Sequence, residues 1–250
     1  MMRSYTRWMI FGCSFLLMGI SVQQLHGEGV EVSGKILVRG ATQPAGKKHK
    51  DSQDSLGAAN AVVWLSPLKP GTVLPVMPAR QALYRLVQKD KMFTPHLLVV
   101  PTGSQVEFPN QDPFFHNVFS LFNGKRFDLG LYESGTSRSV RFDREGVSYI
   151  FCNIHPEMGA IVLVLSTPYY GISGENGVVV LHNVPPGSYR LNVWSENGQL
   201  ANPSVSQRIV QVSTDAIHLG DITLQAAADP LANHKNKFGE DYEPSQGPKY

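Results

Sequence analysis

Residues 149–161 read "YIFCNIHPEMGAI" and place a thiol (Cys152), an imidazole (His155) and a thioether (Met158) within seven residues. Before the thiol, "SYIF" alternates apolar and polar side chains; after the thioether comes the apolar run "AIVLVL". Both are strand patterns, so Cys152 sits where a strand gives way to a loop. The alternation in "SVRF" and "SYIF" assigns Val140, Phe142, Tyr149 and Phe151 to the inward face.

The same texture extends both ways. "LYRLVQKD", "LLVVPTG", "SQVEFPN" and "SRSVRFDREG" are short strand-like segments punctuated by turn residues, and no stretch has sustained helical periodicity. Upstream, "VEVSGKILVRG" and "NAVVWLSPL" read as strands separated by a polar Gly/Lys/Ser-rich loop. Downstream, "GVVVLHNVPPGSYRLNVWSENG", "SQRIVQVS" and "HLGDITLQ" resume the alternation, and residues 227–250 read as a polar, mobile tail. The expected fold is all-β, two antiparallel sandwiches.

Arg3 and Arg7 precede the apolar run Trp8–Ile20, the pattern of a secretory signal cleaved near Gly27. That run is short for a bilayer span, so the protein is expected to be periplasmic or otherwise exported, with no stable membrane insertion after cleavage. Removing residues 1–27 from the 250 leaves 223 and takes Cys13 with them. Cys152 is then the only thiol, which excludes an intramolecular disulfide and leaves intermolecular pairing, a nucleophile or a metal ligand. A net charge of +2 with 17% charged residues gives no reason to expect nucleic acid as a partner.

Two imidazoles, a thiolate and a weak axial thioether suit copper held for electron transfer. A second imidazole is available in "PNQDPFFHNVFS", where His116 follows a strand-like segment 36 residues before Cys152. Taken singly, Cys152 reads as a buried thiol, Met158 as core filler and His116 as a hydrogen-bonded histidine. Structural zinc prefers more thiolates or closed Cys/His sets. A Cys152 nucleophile activated by His155 lacks an evident orienting group.

The segment from Tyr84 to Thr167 resembles the cupredoxins, the small blue copper proteins. "NQDPFFHNV" (Asn110 to Val118) is similar to the family's upstream ligand segment, and "CNIHPEM" has the compact C-x2-H-x2-M spacing of amicyanin. The resemblance implies one mononuclear type 1 copper site with His116, Cys152, His155 and Met158 as ligands. It implies that Asn117, through its backbone N–H and its side chain, fastens the two ligand loops together, and it places Ile154 where amicyanin and plastocyanin carry proline. The Ile154 N–H is thereby free to join that of Asn117 in donating to the Cys152 sulfur, which raises the potential; Ile154→Pro is expected to lower the measured midpoint.

Phe114, Phe115, Pro156 and Met92 are expected to form an apolar rim where a protein redox partner docks near a surface-lying His155. With all coordination positions filled by side chains, no small-molecule substrate and no enzymatic activity are expected. "VSGKILV", "NAVVWLSP" and "VPPGSY" resemble carboxypeptidase regulatory-like and transthyretin-like sandwiches. The expected organisation is a signal peptide (1–27), the first strands of a flanking sandwich (28–75), an inserted cupredoxin domain (80–167), the remainder of the sandwich (168–226) and the tail (227–250). A linear order, with residues 28–75 extending the cupredoxin sheet, is the other arrangement. Trp64 and Trp194 are expected in the flanking core, and His96, His182, His218 and His234 on the surface. The expected function is an exported one-electron carrier; copper storage or delivery, or an adhesion or carbohydrate-binding sandwich with accessory copper, are the alternatives.

Overall fold

Strand alternation fixes the layers of the protein. The structure is a computed structural model that describes residues 29–40, 58–69, 71–72, 74, 83–121, 124–232 and 234–242. The signal segment, its cleavage point near Gly27, most of the polar loop and residues 243–250 lie outside the described residues. The chain is all-β; among the described residues the helical content is one 3-10 turn, Pro203–Gln207, and no helix is long and apolar enough to cross a membrane.

Along Val30–Arg39, Val32, Ile36 and Val38 are buried while Glu31, Lys35 and Arg39 are exposed. This strand lies between Val178–Val184, antiparallel to it, and Ile217–Ala226, parallel to it, with Gly198–Leu200 beyond the latter. A second sheet, ordered Tyr170–Ile172, Val62–Pro67, Gly187–Trp194 and Ile209–Val212, closes over the same core, which includes Ile36, Leu65, Val179, Leu191 and Ile222. Gly177 is required at the turn before Val178: its φ is +76°, and a Cβ there would lie 2.3 Å from the Ile36 carbonyl oxygen. The pairing of Val32 with Ile217 through Arg39 with Gln225 sets side by side two strands about 185 residues apart in the chain.

Among the described strands, those between Tyr84 and Leu165 pair only with one another. A sheet of Ser137–Phe142, Ser104–Pro109 and Tyr84–Arg85 shares a core with a five-stranded sheet. The latter is ordered Leu97–Pro101, Gly159–Leu165, Gly146–Phe151, His116–Ser120 and Phe127–Tyr132. The hairpin Val87–Lys89 and Met92–Thr94 completes this part. Phe108, Val118, Phe142, Ile150 and Val162 fill the core, together with Cys152 and Met158.

The five-stranded sheet is covered on both faces, which explains the apolar run "AIVLVL". Ala160, Val162 and Val164 face the core of Phe108, while Leu163 and Leu165 pack on the other side with Val62 and Val99. Trp64 and Trp194 sit in this second contact, half-buried, rather than in the flanking core. Val63, Leu65, Leu191 and Val193 hold the inward positions of their strands, so the two tryptophans point the opposite way.

The same two-sided cover reverses the parity expected for "SYIF". Val140 and Phe142 do face the core, but on the next strand along the chain, in the opposite sheet, Ser148 and Ile150, with Cys152 just beyond its end, are turned inward. Tyr149 is half-buried on the outer face, and Phe151 is buried there against Phe119 and His234.

Candidate metal centre

Phe151 pairs with Phe119, which sets the strand opened by His116 beside the strand that ends before Cys152. Asn110 shapes the approach to His116. Its Nδ2 donates to the carbonyls of Phe114 (2.8 Å) and Tyr132 (3.3 Å), and its Oδ1 accepts from the Asp112 N–H (3.0 Å). The loop after Cys152 closes on itself: the Cys152 N–H donates to the Met158 carbonyl (3.3 Å), and the Met158 N–H to the His155 carbonyl (3.1 Å).

These constraints bring together three of the four expected ligands. Cys152 Sγ lies 3.7 Å from His116 Nδ1 and 3.6 Å from His155 Nδ1, and all three atoms are within 4.8 Å of one another. Cys152, His116 and Met158 are fully buried, and Met158 shares the core cluster of Cys152. Metal–sulfur and metal–nitrogen bonds of about 2.3 and 2.0 Å meeting at about 110–120° imply an S···N edge of about 3.5–3.7 Å. The observed edges fit one ion bound by the three donors.

His155 is more covered than expected, with 8% exposure. The half-buried Phe114 ring packs 5.2 Å from the His116 ring and 5.7 Å from that of His155, which closes this side of the cluster. Around it Phe115, Met92 and Ile154 are exposed by 51%, 56% and 42%, and Pro156 is exposed too.

Burial pushes the Cys152 thiol up, and the backbone N–H groups of Asn117, Ile154 and His155, all directed at its sulfur, act in the opposite sense. Burial, reinforced by His116, pushes His155 below the ordinary imidazole range, so it stands neutral with a lone pair to offer. The Asn117 side chain does not fasten the two loops. Its Nδ2 donates to Asp128 Oδ1 (2.8 Å), and its buried Oδ1 has no hydrogen-bond partner among the described residues.

No family model matches the chain, and no curated protein matches it. Among solved structures it is similar to a novel purple cupredoxin from Nitrosopumilus maritimus, at 24% identity, over 33% of this chain and 99% of that one, with a TM-score of 0.30. It is similar to a Cu-containing nitrite reductase (NirK) from Thermus scotoductus at 23% identity, over 40% of this chain and 25% of that one (TM-score 0.32). It is also similar to a reduced Cu(I) form of amicyanin at 18% identity, over 41% of this chain and 98% of that one (TM-score 0.32). These neighbours are cupredoxins.

Beside the cluster stands Asp112, a residue that the sequence reading did not single out. Asp112 Oδ2 accepts from His116 Nε2 at 2.7 Å, which leaves Nδ1 of that ring facing Cys152. The same carboxylate accepts the N–H groups of Asp90 (2.6 Å) and Lys91 (3.0 Å). Those two residues have φ of +54° and +56°, conformations unfavourable to side-chain-bearing residues, so Asp112 holds the hairpin turn and the imidazole at once. Burial works to raise its carboxyl, but the donors at Lys91, His116 and Asp90 outweigh it and hold the group below the ordinary carboxylate range. The only trace in the sequence is an acid four residues before a candidate ligand in "DPFFH". A carboxylate on the far nitrogen of a ligating histidine fixes its tautomer and raises its basicity. The donor set, one thiolate and two oriented imidazoles beside a buried thioether residue, is the chemistry that suits copper.

Proposed function

We propose that the chain is an exported, mononuclear type 1 copper protein that carries single electrons. The observation that carries this reading is the buried cluster of Cys152 Sγ, His116 Nδ1 and His155 Nδ1, drawn together from the start of one strand and the loop that follows another. Copper, when bound, supplies the one-electron couple. The chain's own contribution is to hold the donors in place. Asp112 orients His116 and the closed loop orients His155, and the fully buried Met158 would offer its thioether as a further, weaker donor. A donor set anchored in a packed core presents nearly the same geometry to Cu(I) and Cu(II), so little rearrangement opposes transfer.

Residues 80–167 are read as the copper domain, inserted into a flanking sandwich of residues 28–75 and 168–226. Met92, Phe115 and Ile154, exposed around His155, are read as the docking face for a protein redox partner. Nucleic acid and small-molecule substrates have no place in this reading.

Titration of the purified protein with Cu(II) tests it. An intense thiolate-to-copper charge-transfer band in the visible, one copper per chain and a reversible one-electron couple are the expected results, with the band absent in Cys152→Ala. A colourless complex that passes copper freely to a chelator would overturn the electron carrier in favour of storage or delivery.

A further inference from the structure

The residues after the last strand read as a polar tail, yet residues 227–242, apart from the undescribed 233, are laid against the ligand loop. Tight turns give the segment its shape. Asp229 Oδ1 accepts the Leu231 N–H (2.7 Å), and Asn236 Oδ1 accepts those of Phe238 (2.9 Å) and Glu240 (3.0 Å). The polar side chains that suggest mobility are thus spent on bonds within the turns. Leu231 packs over Gly159, where a Cβ would approach its Cδ1 to 3.1 Å. His234 is no surface residue either: its ring stacks on Phe151 at 4.0 Å and 17°, and Nδ1 donates to the Leu231 carbonyl at 2.9 Å.

Three further contacts reach the site itself. The Tyr242 hydroxyl, with its ring 5.2 Å from that of His234, donates to the Cys152 carbonyl at 2.8 Å. The Lys237 N–H donates to Asn153 Oδ1 at 2.9 Å. The Lys237 ammonium pairs with Asp128 Oδ2 at 2.8 Å, and Asp128 Oδ1 in turn receives Asn117, the residue after His116. This ion pair is partly buried, with side-chain exposures of 23% and 35%. One lysine therefore grips both ligand segments.

We propose that residues 227–242 form a clasp over the metal centre, in which Tyr242 and Lys237 are positioning residues that fix the Cys152 loop against the His116 strand. Two backbone–backbone bonds, Cys152 to Met158 and Met158 to His155, close the loop internally, and its residues Asn153 and Ile154 are half-buried and exposed. The clasp supplies the outside support that the Asn117 side chain, turned to Asp128, does not. The Tyr242 hydroxyl also aims the positive end of its dipole at the carbonyl of a ligand residue, which favours the electron-richer state of the site.

This effect on potential rests on the copper reading; the mechanical effect does not. Both are tested in the full-length protein with Tyr242→Phe, with the double variant Tyr242→Phe/Asn153→Ala, and with Asp241→Ala as control, since among the described residues Asp241 pairs with exposed Lys235 and not with the ligand loop. In metal-free protein, amide hydrogen exchange in residues 153–158 is expected to accelerate about tenfold per hydrogen bond lost, and Asp241→Ala to leave it unchanged. In copper-loaded protein, Tyr242→Phe is expected to lower the midpoint and hasten copper loss to a chelator. If wild-type protein shows no thiolate band, the copper reading fails while the exchange data still judge the clasp. Exchange and midpoint both at wild-type values in the double variant would overturn the clasp.

Discussion

Asp112 binds three donors with two oxygens, one of them the far nitrogen of a proposed ligand. Asparagine would keep the shape but offer one acceptor oxygen and an amide that repels the N–H donors. Asp112→Asn is therefore expected to weaken copper binding by about 10–100-fold, measured by competition with a chelator of known affinity. Unfolding stability of the metal-free protein should fall by about 1–3 kcal/mol, because the N–H groups of Asp90 and Lys91 lose a charged acceptor. The three residues the structure brings together were singled out in the sequence, Cys152 and His155 by their spacing in one loop and His116 by a second motif. Asp112 was not, because a lone acid before a histidine is common, and its second task is to serve a hairpin turn about twenty residues upstream.

At the scale of elements, Gly159–Leu165 decides how the two parts of the chain meet. It is the strand whose alternate residues serve two cores, Val162 in one and Leu163 in the other. Leu163→Ala is expected to destabilise the protein by about 2–5 kcal/mol in urea unfolding, through lost burial and the cavity left behind. Ile209, on a flanking strand and 55% exposed, should tolerate the same change within about 0.5 kcal/mol. The copper spectrum of folded Leu163→Ala should match the wild type, since the side chain points away from the Cys152 core. The sequence announces a buried strand here but not what covers its second face.

At the scale of the whole molecule, a polar contact ties the part that carries the Cys152 cluster to the strands after residue 168. His96 Nε2 lies 2.8 Å from Glu196 Oε2. The Glu196 carboxylate pushes His96 above its ordinary value of 6.5, against an opposing effect of burial. A raised folded-state value means that the pair stabilises fully below the unfolded value and loses its contribution as pH rises through the folded one. The stability gap between wild type and His96→Ala is accordingly expected to be widest near pH 5.5 and to close near pH 9, by urea unfolding at roughly those two pH values. With 45% of the His96 side chain exposed, the gap should stay below about 1 kcal/mol.

The sequence alone determined that the chain is built of short strands, that one thiol sits at a strand end, and that a second histidine segment exists to meet it. These are local facts, carried by period-two alternation and residue spacing. Only the tertiary structure decided which faces those strands bury. Alternation says which residues share a face, but where both faces are covered it cannot say which is the core, and so Tyr149, Phe151, Trp64 and Trp194 came out on the opposite side. Composition likewise made a mobile tail of residues whose turns and long-range contacts place them against the Cys152 loop. Their bonds run to Cys152, Asn153 and Asp128, about 80–110 residues away along the chain, where no local pattern could announce them.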